Sequence, residues 1–211
     1  MTTAMTTTFP MPVMPQQACV STVKFETTIN DVNGFCITGP GFDLQAITSR
    51  VRYAEVLHLN KMYCGLSLRN INGGMEFHSP DMKARSITIG RPGIIFQPML
   101  AGARSRECIL LADIMDLLAF QTLRRMMAGT FPGKIDFIVL NDPRNIASMI
   151  VDSDLYEKVW CAFPDTVSGN SLEMTILHRN GKNARSARQL FEGHSSLYDM
   201  LTDILESEFR S

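Results

Sequence analysis

No two cysteines in this chain lie at the close spacing that metal sites use. The five it has, Cys19, Cys36, Cys64, Cys108 and Cys161, are odd in number and widely spaced, which argues against a disulfide framework and against a structural zinc site. Cys108 and Cys161 fall inside apolar runs, where a free thiol behaves as a small hydrophobe; a reduced, cytoplasmic protein is therefore expected. Long hydrophobic stretches are missing too. Nothing approaches the roughly 18 apolar residues of a membrane helix, and the opening MTTAMTTTFPMPVMPQQ has neither the basic start nor the unbroken apolar stretch of a signal peptide, so no membrane partner is expected. Excess charge of one sign is absent: the net charge is -1, and any contact with nucleic acid must come from a local patch. The histidines, His58, His78, His178 and His194, pair with no serine or cysteine in a nucleophile motif such as GxSxG. Gly39-Pro40-Gly41 lacks the Lys-Ser/Thr sequel of a phosphate cradle and reads as a turn.

What the chain does have is enough apolar content, 45% over 211 residues, to bury one globular core with a small appended lobe. Residues 1–17, rich in Thr, Met and Pro and without periodicity, are expected to be a disordered tail. Residues 18–100 read as a β-rich lobe. Within it, 20–29 (VSTVKFETTI) alternate as a strand, and 43–58 suit a helix capped by Asp43. Asn72-Gly73-Gly74 separates strands at 62–69 and 75–78, a hairpin signal because glycine supplies the positive φ of tight turns. Residues 86–89 add a third strand.

The remainder, 101–211, is organised around residues 106–170. Three apolar runs, 107–112 (ECILLA), 134–140 (KIDFIVL) and 158–163 (KVWCAF), alternate with helical segments, the first of them starting at Asp113. That alternation predicts right-handed crossovers and a parallel sheet flanked by helices. Ligands meet such sheets at the carboxyl ends of strands. The loops Ala112-Asp113, Asn141-Asp142 and 164–170 should therefore share one edge, and function should lie there.

LLADIMDLLAF and VWCAFPDTVSGN on those loops resemble the two motifs of Toprim domains, the metal-binding fold of primases and topoisomerases: an apolar strand then Glu-Gly-x-x-Asp, and an apolar strand then Asp-x-Asp-x-x-Gly. Upstream, Asn70-Ile-Asn-Gly-Gly-Met-Glu-Phe-His78 is similar to the Asn-x-x-Gly-Gly-x-Glu-x-Arg block ahead of the Toprim core in primase-like proteins of bacterial mobile elements, and Lys83 matches a position commonly basic there. The resemblance spans roughly residues 62–205 and lacks the zinc-binding module that full-length primases carry.

It implies a Toprim-like (Rossmann-like) α/β domain and, by its departures, a degenerate one. Ala112 stands where the family has its general-base glutamate, with Asp113 at the following glycine. Pro164 and Thr166 stand where it has two metal-binding aspartates, while Asp116 and Gly169 are kept. Mg²⁺ prefers oxygen ligands, usually carboxylates; alanine and proline cannot ligate it, and a threonine hydroxyl is a poor substitute for an anion. No catalytic site, metal or cofactor is therefore expected. A displaced site using Asp113, Asp116 and Asp165 stays open, although a one-residue slip on a strand turns a side chain to the other face, and Asp116 also suits the first turn of a helix.

After the second motif, 168–180 should form a helix capped by Ser168 and stopped by Gly181. Arg179, Lys182, Arg185 and Arg188 follow without an intervening acid. They are either a phosphate-contacting patch, together with Lys83, or a solvated surface balanced by the acidic tail. Residues 196–209 form an amphipathic helix whose apolar face suits the core or a partner. The resemblance with its departures implies an inactive accessory protein of a mobile element or phage, partnered by single-stranded DNA or a replication or transfer protein. Two alternatives remain: a metal-dependent primase-like or nuclease-like enzyme with Mg²⁺ at the displaced acids, and a protein-interaction or inhibitory module.

Overall fold

The described residues form two sheets of five strands each, the second of them flanked by helices. The computed structural model describes residues 21–29, 42, 50–82, 86–99, 103–131 and 134–210. The first sheet is an antiparallel meander in chain order: β1 (Thr22–Thr28), β2 (Arg52–His58), β3 (Lys61–Arg69), β4 (Met75–His78) and β5 (Ser86–Ile89). A two-residue loop, Leu59 and Asn60 at φ 50° and 62°, joins β2 to β3, matching the positive φ that tight hairpins demand. Between β3 and β4, Gly73 takes φ 77° as the hairpin signal predicts.

Residues 52–58 are a strand, not the second half of a helix starting at Asp43; residues 43–49 lie outside the described segments. The reason is period. Ala54 and Val56 are fully buried while their neighbours are half-exposed, and β2 is hydrogen-bonded on both sides, so pairing fixes the strand. Ala54, Val56, Met75 and Phe77 build a small core with Met82, whereas Leu66 and Leu68 join the larger core of the second sheet.

That second sheet contains β6 (Ile95–Gln97), β7 (Glu107–Leu111), β8 (Asp136–Val139), β9 (Lys158–Ala162) and β10 (Ala184–Ser186), ordered β10-β9-β7-β8-β6. All neighbours are parallel except β6, which runs antiparallel to β8. Four helices cover it: α1 (Ile114–Met126), α2 (Ile146–Ser153), α3 (Val167–Asn180) and α4 (Leu197–Arg210). Strand residues alternate between two cores. Ile109, Leu111, Phe137 and Val139 pack with α1 and α4; Cys108, Leu110, Ile138 and Cys161 pack with α2 and α3. This is the parallel, helix-flanked sheet expected from continuous apolar runs.

Leu197 and Leu201 are buried against α1, so core packing is the use made of the α4 apolar face. Asp136 is fully buried at the start of β8 and is satisfied there by accepting from the Met99 and Ser105 amides and from the Tyr156 hydroxyl, at 2.8, 2.9 and 3.0 Å.

Candidate functional site: a cleft between the two sheets

The three loops expected at one edge do meet. They line a cleft of about 740 Å³ together with His78 and Ser86 of the first sheet and Ser195, Ser196 and Tyr198 at the start of α4. Each exit is shaped locally. Asp113 is extended and caps α1, accepting from the Asp116 amide at 3.0 Å, as an N-cap acid does. Asn141 holds φ 54°, and Asp142 caps the following 3-10 turn while its carboxylate pairs with Arg144.

At the third exit the cap of α3 is Thr166, not Ser168. Its hydroxyl accepts from the Gly169 amide at 3.1 Å, which places the helix start two residues earlier than the expected cap and leaves Ser168 inside the first turn. Gly169 is required there by contact: a Cβ would stand 2.0 Å from the Pro164 carbonyl oxygen.

The acids of this rim have different fates. Asp116 is only 2% exposed and accepts from the Tyr198 amide at 3.3 Å. Burial, with the Asp113 carboxylate beside it, holds its carboxyl well above the usual range against that single favourable contact. Asp165 is exposed and turns to Arg188, whose Nη1 donates to it at 2.9 Å. The same guanidinium donates through Nε to the buried Glu173 at 2.7 Å and through Nη2 to Asn170. Among the described residues, no three His, Cys, Asp or Glu side chains gather as a metal would need.

The basic run is divided. Arg188 is tied into the fold, and Arg179 lies 4.0 Å from Asp154. Lys182 and Arg185 are exposed, on the 3-10 turn after α3 and on the edge strand β10. Lys83 lies outside the described residues. No lysine or arginine lines the cleft among the described residues.

No protein-family model matches the chain, and a search of curated proteins finds no match. Solved structures do match. The primase fragment of the bacteriophage T7 primase-helicase superposes with a TM-score of 0.51 at 13% identity, over 75% of this chain and 64% of that one. A chain from the bacteriophage T7 lagging-strand DNA polymerase assembly, in which primase domains of two subunits are bound to an RNA/DNA hybrid and dTTP, gives 0.56 at 11% identity, over 88% of this chain and 90% of that one. The fold is primase-like. At such identities the likeness is one of architecture, and this chain spans about two-thirds of the primase fragment.

Within the primase-like fold the upstream block has a structural role of its own. Asn70 is buried and bonds Glu76 and the Arg91 carbonyl, both at 2.8 Å, while its side-chain oxygen accepts from the Asn72 and Gly74 amides. Thr88 completes Glu76 at 2.7 Å, yet burial still raises the Glu76 carboxyl above its usual value. The motif thus locks the hairpin and carries His78 to the cleft, in the place where the resembling block has arginine. The hub of Arg188, Glu173, Asp165 and Asn170 escaped sequence reasoning, because its members lie 15 to 23 positions from Arg188 and meet only through β10.

Proposed function

We propose that this chain is a primase-like accessory protein of a phage or other mobile element that binds nucleic acid or the replication machinery and performs no phosphoryl transfer. The observation that carries the reading is the state of the rim acids. Where a Toprim site would place carboxylates around Mg²⁺, the chain offers Ala112, Pro164 and Thr166. The acids left nearby are committed elsewhere: Asp165 to Arg188 and Asp113 to the α1 cap, while burial raises the hold of the Asp116 carboxyl on its proton. A buried carboxyl that holds its proton more tightly than usual and an ion-paired one are poor ligands for a hard dication, so the residues present do not fit the metal. Lys182 and Arg185, exposed and without ion pairs among the described residues, supply the electrostatic contact with a strand.

The experiment combines the full chain, a single-stranded DNA template, ribonucleoside triphosphates and Mg²⁺. No primer product is expected, whereas fluorescence anisotropy should detect oligonucleotide binding that falls steeply with salt and weakens in Lys182→Glu/Arg185→Glu. A Mg²⁺-dependent product that disappears in Asp116→Asn would establish the displaced-site enzyme instead. Failure to bind strands of any kind would favour a protein-interaction module.

A further inference from the structure

A second concavity, of about 310 Å³, lies away from the cleft where β2, the end of β3 and the outer edge of β6 converge. Three arginines face it: Arg50 just ahead of β2, Arg52 on β2 and Arg69 at the end of β3. They are brought together by strand pairing, since Arg52 stands opposite Ser67 and so diagonal to Arg69. Among the described residues one carboxylate answers two of them. Glu26 takes Arg69 at 2.8 Å and Arg52 more loosely at 3.9 Å, and it also accepts from the Ser67 hydroxyl. Arg50 makes a single bond among the described residues, at 3.3 Å, to the Phe96 carbonyl on the β6 edge. A guanidinium carries five N–H donors in a fixed fork, so most of the donors at this pocket are uncommitted, and the local charge is positive in a protein whose net charge is -1.

We propose that this pocket is a phosphate-binding site. Three forks, two from the start of β2 and one from the end of β3, match the three acceptor oxygens of a terminal phosphate better than the two of a carboxylate. The volume is at the small end of ligand pockets, which run from about 300 Å³, and suits a phosphate with the sugar that bears it. Its source is a free nucleotide or the end of a nucleic-acid strand, and the same chemistry serves both. The site does not depend on the reading of the cleft: it lies apart from it and uses none of its residues.

The test follows the arginine Nε–H signals of the full chain by ¹H–¹⁵N correlation while sodium phosphate, dTMP, a 5′-phosphorylated oligo(dT) or an oligoglutamate peptide is added in chloride buffer. Saturable shifts of Arg50, Arg52 and Arg69 with phosphate and dTMP are expected. They should weaken about tenfold in Arg50→Ala, which among the described residues gives up one hydrogen bond, to the Phe96 carbonyl, so that folding is checked by an unchanged thermal unfolding curve, and persist in Lys182→Glu/Arg185→Glu. Oligo(dT) binding tenfold tighter than dTMP assigns the phosphate to a strand end; equal affinity assigns it to a nucleotide. Shifts that never saturate, or that saturate only with oligoglutamate, overturn the proposal, the latter in favour of an acidic protein partner. Strand binding left unchanged in Lys182→Glu/Arg185→Glu, with these shifts intact, would count against the proposed function alone.

Discussion

Two side chains of the rim convert burial into measurable behaviour. The Asp116 carboxyl is raised by burial and by Asp113, so between the ordinary carboxylate value near 4 and its raised value the unfolded chain is ionised while the folded chain is not. Stability in that window falls as pH rises, by about 1.4 kcal/mol per pH unit. Asp116→Asn removes the titration and keeps an oxygen to accept from the Tyr198 amide. The variant should match wild type near pH 4 and gain on it as pH increases, as urea unfolding at several pH values will read. Arg188 joins Asp165, Asn170 and the 7%-exposed Glu173 side chain. Removing it leaves a buried carboxylate unpaired, so Arg188→Ala should destabilise the fold by about 3 kcal/mol, and Glu173→Gln in the same chain should restore part of the loss. A variant that unfolds at the wild-type urea concentration would refute this account of the hub.

Among the elements, the start of α3 has two determinants that can be separated. Thr166→Ala deletes the cap and should lower stability by about 1 kcal/mol. Gly169→Ala drives a methyl into the Pro164 carbonyl, 2.0 Å away, and should lower it by about 2 kcal/mol or more through backbone displacement; thermal unfolding distinguishes both from wild type. The same elements mark what sequence reading can reach. β7, β8 and β9 were legible because burial on both faces makes their runs continuously apolar. α1, α3 and α4 were legible from period and punctuation. β6 and β10, three residues each, lie on edges where the pairing partner rather than composition creates the strand. β2 was misread because RYAEVLH also suits a helix until its neighbours in the sheet are known. The arginine pocket depends on the register of β2 against β3, a tertiary fact.

At the scale of the whole molecule, an antiparallel meander and a mostly parallel sheet close over a cleft, in a primase-like architecture. Two apolar cores and capped helices hold the scaffold, and Arg188 supplies an internal cation beside Asp165 on the loop after β9. The chain should accordingly have the same melting temperature in Mg²⁺ as in EDTA, since a ligand stabilises only a state that binds it. The most direct test of the central claim, that the rim no longer forms a divalent-cation site, is titration of the full chain with Mn²⁺ at neutral pH, read by the electron paramagnetic resonance of free aquo-Mn²⁺. The account predicts a signal that tracks total Mn²⁺ from the first addition; one equivalent of bound Mn²⁺, released by Asp113→Asn or Asp116→Asn, would contradict it.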